Sequence, residues 1–160
     1  MAIVYRITKN EDSDLVFLKG NLDEDAGLPL NDLLEKIGPK CVINLKEIMK
    51  INSLGVRLWV RFMRNFEANR SVTLEECTPE VIIQINMIPN FKGKSVINSL
   101  YARYQCSHCG NEKLQLFTLG VNMPKKGGPY SIEEPTCPKC GAKMEMEEFE
   151  DEFFACLGSS

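Results

Sequence analysis

Apolar and polar residues alternate at Ile3, Tyr5 and Ile7, which predicts a first strand over Ile3 to Thr8. Asp14 to Gly20 (DLVFLKG) predicts a second strand that closes a hairpin with the first across the turn Glu11 to Asp14. After the acidic loop Asn21 to Gly27, a helix is expected from Leu30 to Ile37, stopped by Gly38-Pro39. Val42, Ile43 and Leu45 form a short β-branched apolar run, the pattern of a central strand. The period then changes from two to about 3.6. Leu58, Phe62 and Phe66 recur four apart, joined by Trp59 and Met63, while Arg57, Arg61 and Arg64 gather on the opposite side. This predicts an amphipathic helix from Leu54 to Phe66 with a basic outer face.

Further along, Ser71 to Cys77 reads as a strand. Thr78-Pro79-Glu80 reads as a helix start, with an N-cap, Pro at the first helical position and an acid in the first turn. That helix carries Val81, Ile82, Ile83, Ile85 and Ile88 and ends at Pro89, and its apolar content predicts burial. The order β, β, α, β, α, β, α predicts an α/β fold with helices against a mixed sheet. Lys92-Gly93-Lys94 reads as a connector, followed by a strand from Val96 to Tyr104.

The turn before the basic helix carries the first candidate chemistry. Asn52 and Ser53 are both good N-cap residues, and Gly55 follows closely. A hydroxyl there serves as a helix cap or as a phosphorylation site, because a phosphate beside helix N–H groups and the positive dipole end is well tolerated. The run Ile51-Asn52-Ser53-Leu54-Gly55-Val56-Arg57, at the end of a Val-Ile-Asn-Leu strand, resembles the signature of STAS domains, the anti-sigma-factor antagonists and their relatives. Their Asp-Ser-(Ser/Thr)-Gly turn opens a helix, and its first Ser is phosphorylated by a partner kinase. By position Asn52 stands for the Asp, Ser53 for the phosphorylated Ser, Leu54 for the Ser/Thr and Gly55 for the Gly. Asn52 and Leu54 depart from the family pattern, removing a charge and a hydroxyl. The resemblance covers residues 1–96 and implies a STAS-like domain there. It further implies a bacterial signalling adaptor in which the surface around Ser53, with Arg57 and Arg61, engages an anti-sigma factor or serine kinase.

The cysteines add a second region, residues 97–160. Cys106-Ser-His-Cys109-Gly110 and Cys137-Pro-Lys-Cys140-Gly141 are two Cys-x-x-Cys-Gly knuckles with 27 residues between them. Two facing knuckles give four soft thiolates at tetrahedral distance, a donor set suited to one Zn²⁺. With the alternating run Lys113 to Leu119 and the turn residues Pro124, Gly127, Gly128, Pro129 and Pro135 of the intervening loop, the pattern resembles a zinc ribbon. Four Cys close the coordination shell, so a structural metal is expected, and His108 is expected at the surface. Iron, held as in rubredoxin-like electron carriers, is the alternative metal. Cys41, Cys77 and Cys156 read as small buried apolar residues.

Charge and composition narrow the function classes. Lys+Arg and Asp+Glu stand at 13 and 13 up to Asn98, and at 6 and 9 from Ser99 onward. A nucleic-acid surface, which shows a basic excess, is therefore not expected. A nucleic-acid or transcription-machinery module acting through Lys125 and Lys126 of the ribbon stands only as an alternative. Six acids among the nine residues from Met144 to Glu152 predict a solvated acidic segment. No apolar run approaches the ~20 residues of a membrane span, and MAIVYRITKN lacks a secretory pattern, so a cytoplasmic chain is expected. No phosphate-binding loop, Cys–His pair or carboxylate pair indicates an enzyme. Partner binding is the expected activity, with a homodimer left open.

Overall fold

The computed structural model describes residues 1–125, 127, 128, 130 and 132–157. Lys126 and Pro129, named above in the ribbon loop, lie outside these. The chain forms an α/β fold with a five-stranded mixed sheet, followed by a small β region carrying a four-cysteine cluster.

Strand β1 (Val4–Lys9) pairs antiparallel with β2 (Asp14–Leu22), as the alternating pattern predicts. Helix α1 (Gly27–Lys36) leads into β3 (Lys40–Ile51), which lies parallel to β2. Helix α2 (Ser53–Glu67) leads into β4 (Ser71–Glu75), parallel to β3. Helix α3 (Pro79–Met87) and a further turn α4 (Pro89–Lys92) precede β5 (Val96–Ile97), parallel to β4. The strand order is β1-β2-β3-β4-β5.

Several boundaries differ from the sequence expectation by a residue or two, as where β4 ends at Glu75 rather than Cys77, and four differences have a physical reason. Strand β3 runs to Ile51, well past the apolar run Val42–Leu45. Its backbone keeps pairing with β2, which shifts register twice between Phe17 and Leu22, although Lys46, Glu47 and Lys50 break the apolar pattern. Helix α1 starts at Gly27 because Pro29 sits in its first turn, where a missing N–H loses nothing. The Lys92 connector opens inside α4, whose Phe91 is fully buried and accepts the Trp59 indole N–H at 2.9 Å through its carbonyl. The single strand expected over Val96–Tyr104 is split. The Asn98 N–H reaches back to the Leu74 carbonyl while its own carbonyl takes the Leu119 N–H. The chain thereby leaves the first sheet and enters the second.

That second sheet has the order β7-β6-β8, all antiparallel, with β6 (Ser99–Gln105), β7 (Glu112–Thr118) and β8 (Glu145–Met146). A short helix α5 (Glu150–Phe153) and a 3₁₀ turn (Phe154–Leu157) follow. The acidic segment is thus mostly bend and short helix.

The buried faces explain why these elements stay together. Trp59, Phe62, Met63 and Phe66 form the inner row of α2 and meet Val16, Leu18, Ile43, Leu45 and Leu74 of the sheet in one apolar cluster. Leu58, on the edge of the predicted stripe, is only half-buried. Helix α3 buries Val81, Ile82 and Ile85 and leaves Met87 exposed. The two regions are tied across α3 and the β4 end. Asn86 donates to the Phe153 carbonyl at 3.0 Å, Tyr101 Oη donates to Glu76 Oε1 at 2.7 Å, and Arg103 reaches Glu80 at 3.0 Å.

Candidate functional site

The four cysteines of the two knuckles come together. Their sulfurs all lie within 4.8 Å of one another, with Cys106–Cys140 at 3.4 Å and Cys109–Cys137 at 3.6 Å. Tetrahedral thiolates around a divalent ion at the usual Zn–S distance sit about 3.8 Å apart, so the cage has the right size. The two knuckles share one construction. In the first, the Gly110 N–H bonds the Cys106 carbonyl at 2.8 Å and the Cys106 N–H bonds the Asn111 carbonyl at 2.8 Å. In the second, the Gly141 N–H bonds the Cys137 carbonyl at 2.9 Å and the Cys137 N–H bonds the Ala142 carbonyl at 2.7 Å. Gly110 and Gly141 hold φ of 78° and 79°, which glycine adopts without strain. Strands β6 and β7 position the first knuckle between them. The isolated bridge Thr136–Lys143 brackets the second.

The electrostatics divide the four thiols: Cys106 and Cys137 are shifted down, Cys109 and Cys140 up. The Cys109 backbone N–H holds the Cys106 thiol below its ordinary value. Burial opposes ionisation at Cys137, yet the Cys140 and Lys139 N–H groups and the neighbouring thiols bring it down to about 6. The Ala142 N–H favours a Cys140 thiolate, but sharing with Cys106, Cys109 and Cys137 pushes that last thiol up to about 12. A divalent cation relieves this crowding of negative charge and drives off the remaining protons. All seven cysteines lie among the described residues, and none is in a disulfide. The cluster can hold one metal ion with four sulfur ligands. Burial pushes Cys41 and Cys156 up to about 12 and raises Cys77 as well, so these three are not poised as nucleophiles. His108 is exposed.

The Ser53 turn lies at the carboxyl end of β3. Asn52, not Ser53, is the N-cap: its Oδ1 accepts the Gly55 N–H at 2.9 Å. The Asn52 amide nitrogen also donates to Glu24 Oε2 at 3.1 Å, which an Asp at this position has no proton to do. That contact gives a local reason for the amide in place of an acid. Ser53 is therefore the first helical residue. It is exposed, and its hydroxyl makes no hydrogen bond to the described residues. Gly55 is buried where α2 abuts the end of β2; a Cβ would overlap the Leu22 carbonyl and lie 2.5 Å from the Asp23 nitrogen. Here glycine is required for close approach rather than for an unusual φ.

Leu54, Arg57, Arg61 and Arg64 are exposed. Ser53, Arg57, Arg61 and Arg64, spaced four, four and three, line one face of α2. None of the three arginines makes an ion pair among the described residues. Sequence reasoning missed Glu24, whose part is visible only once β2 and β3 bring the acidic loop beside the turn.

No protein-family model matches the chain, and no curated protein matches it either. The fold and the cluster define its class: an α/β protein with an appended region whose four clustered cysteines can hold a metal ion. None of its described helices is long and apolar enough to cross a membrane.

Proposed function

We propose that this chain is a non-enzymatic bacterial signalling adaptor resembling an anti-sigma-factor antagonist, acting in the cytoplasm through the α2 face headed by Ser53. The observation that carries the reading is the exposed Ser53 hydroxyl, free of hydrogen bonds to the described residues, at the head of an exposed and unpaired arginine row. A serine kinase or anti-sigma-factor-like partner docks on Ser53, Leu54, Arg57 and Arg61. Asn52 and Gly55 fix the turn from beneath. Phosphorylation of Ser53 adds about −1.5 to −2 charge within that contact and disrupts it by repulsion and desolvation. The phosphate itself is tolerated by the chain, since the α2 N-terminus and Arg57 one turn on both favour negative charge.

In this reading the cysteine cage holds one structural Zn²⁺. Four sulfur ligands leave no position for water, so the metal supplies shape rather than chemistry. Recovery of the tagged chain from its native host, with analysis of bound proteins and of phosphopeptides, tests the proposal. A co-purifying partner together with phosphate on Ser53 supports it. A chain recovered alone and unmodified under every growth condition contradicts it.

A further inference from the structure

The arginine row of α2 is a basic surface that makes no ion pair among the described residues, and the same chain carries its complement. Glu145, Glu148, Asp151 and Glu152 are exposed and make no ion pair among the described residues. In their midst Phe149 is 75% exposed, while Phe153 and Phe154 a few residues on are buried. An aromatic ring left in water inside an acidic run costs solvation that a packed neighbour would recover. On the α2 side Leu54 is 48% exposed at the head of the arginine row. Both surfaces thus combine several charges of one sign with one exposed apolar side chain.

We propose that α2 of one copy docks the acidic segment Glu145–Glu152 of a second copy. Arg57, Arg61 and Arg64 pair with the carboxylates, Arg being suited to bidentate carboxylate contacts. Phe149 packs against Leu54. The contact joins two different surfaces, so two reciprocal contacts close a two-fold dimer, and single contacts run on into chains. The inference deepens the proposed function and rests on its reading of α2 as a contact face. A phosphate on Ser53 would stand where the partner copy brings its acids, and modification would therefore release the copies.

The test uses the full chain alone, with no other protein present. A monomeric result then overturns self-docking without touching the binding of a different partner. Light scattering at low ionic strength is expected to give a mass above the 18.1 kDa monomer, falling to it at about 0.5 M salt as the charges are screened. Arg57→Glu with Arg61→Glu, and separately Glu145→Lys with Glu148→Lys, are each expected to weaken association at least tenfold. An equimolar mixture of the two variants restores it, because each then meets its complement. All four positions are exposed, and a thermal melt checks folding; Arg57→Gln with Arg61→Gln serves where a reversal lowers the melt. A monomer at low salt, association that survives both reversals, or a mixture that fails to recover overturns the proposal.

Discussion

Among the described residues, 24 buried apolar side chains lie between Ile3 and Ile97, but only ten from Leu100 to Cys156, two of them cysteines of the cage. The first region closes on Trp59, Phe62, Phe66 and the strands beneath them, a core large enough to support a fold. The second adds Leu100, Phe117, Met144, Phe153 and Phe154 to the same apolar cluster and is tied to α3 and the β4 end by Asn86, Tyr101 and Arg103, while its two knuckles rest on four sulfurs. The difference teaches where each region is fragile. The α/β unit is sensitive to volume and close approach, the cysteine region to the integrity of its four-sulfur cage. It also frees the outer face of α2, which the core does not need.

The sharpest way to break this comparison is to disrupt the cysteine cage and the metal proposed for it. Structural zinc contributes apparent free energies of about 10–16 kcal/mol in small zinc-dependent folds. A chelator, or Cys137→Ser, should therefore release one metal per chain and strip amide protection from β6, β7 and β8, while β2 and β3 keep theirs. Hydrogen exchange reads both. Unchanged protection across Ser99–Met146 would mean that the apolar residues suffice.

A methyl group provides the next largest contrast. Gly55→Ala forces a Cβ into the Leu22 carbonyl and should destabilise the protein by about 3 kcal/mol or more. Gly110→Ala meets nothing within 4 Å and should cost about 1–2 kcal/mol, for its left-handed φ alone. Chemical denaturation of both variants orders them, and the reverse order would overturn the reading of the turn.

Asp14 tests the α/β unit through pH. Its carboxylate accepts from the Lys9 ammonium and the Gly38 N–H, both at 2.8 Å, which holds its pKa below the ordinary 3.8. A depressed folded pKa gives stability that is present above 3.8 and is lost as pH falls through the lower folded value. Asp14→Asn should therefore cost about 1–3 kcal/mol at neutral pH. That difference should shrink below pH 3.8, as a series of denaturation curves would show.

The smallest effect belongs to Tyr104, whose hydroxyl is buried with no partner among the described residues. Tyr104→Phe should leave stability unchanged or raise it by about 1 kcal/mol. A loss larger than that would reveal a hydrogen bond at the hydroxyl.

Much of this was legible from residue pattern. The alternation of β1, the 3.6 period of α2, the Thr78-Pro79 start of α3 and the spacing of the two knuckles all act locally, and local signals survive in the sequence. The missed features depend on partners distant in the chain. Ile51 stays in β3 because β2 runs beside it, and Asn98 divides a strand because two sheets compete for its backbone. The choice between Asn52 and Ser53 as cap also needed the helix axis, since both side chains are competent. For the site, the cage was readable from four cysteines and two glycines, whereas the isolation of the arginine row became visible only when every nearby carboxylate had a position.

The Ser53 surface is tested most directly by how a captured partner responds to charge at that one position. Binding of that partner to Ser53→Ala and Ser53→Asp chains should differ by at least tenfold, with the Asp form weaker. Equal affinity of the two would contradict a surface governed by the Ser53 hydroxyl.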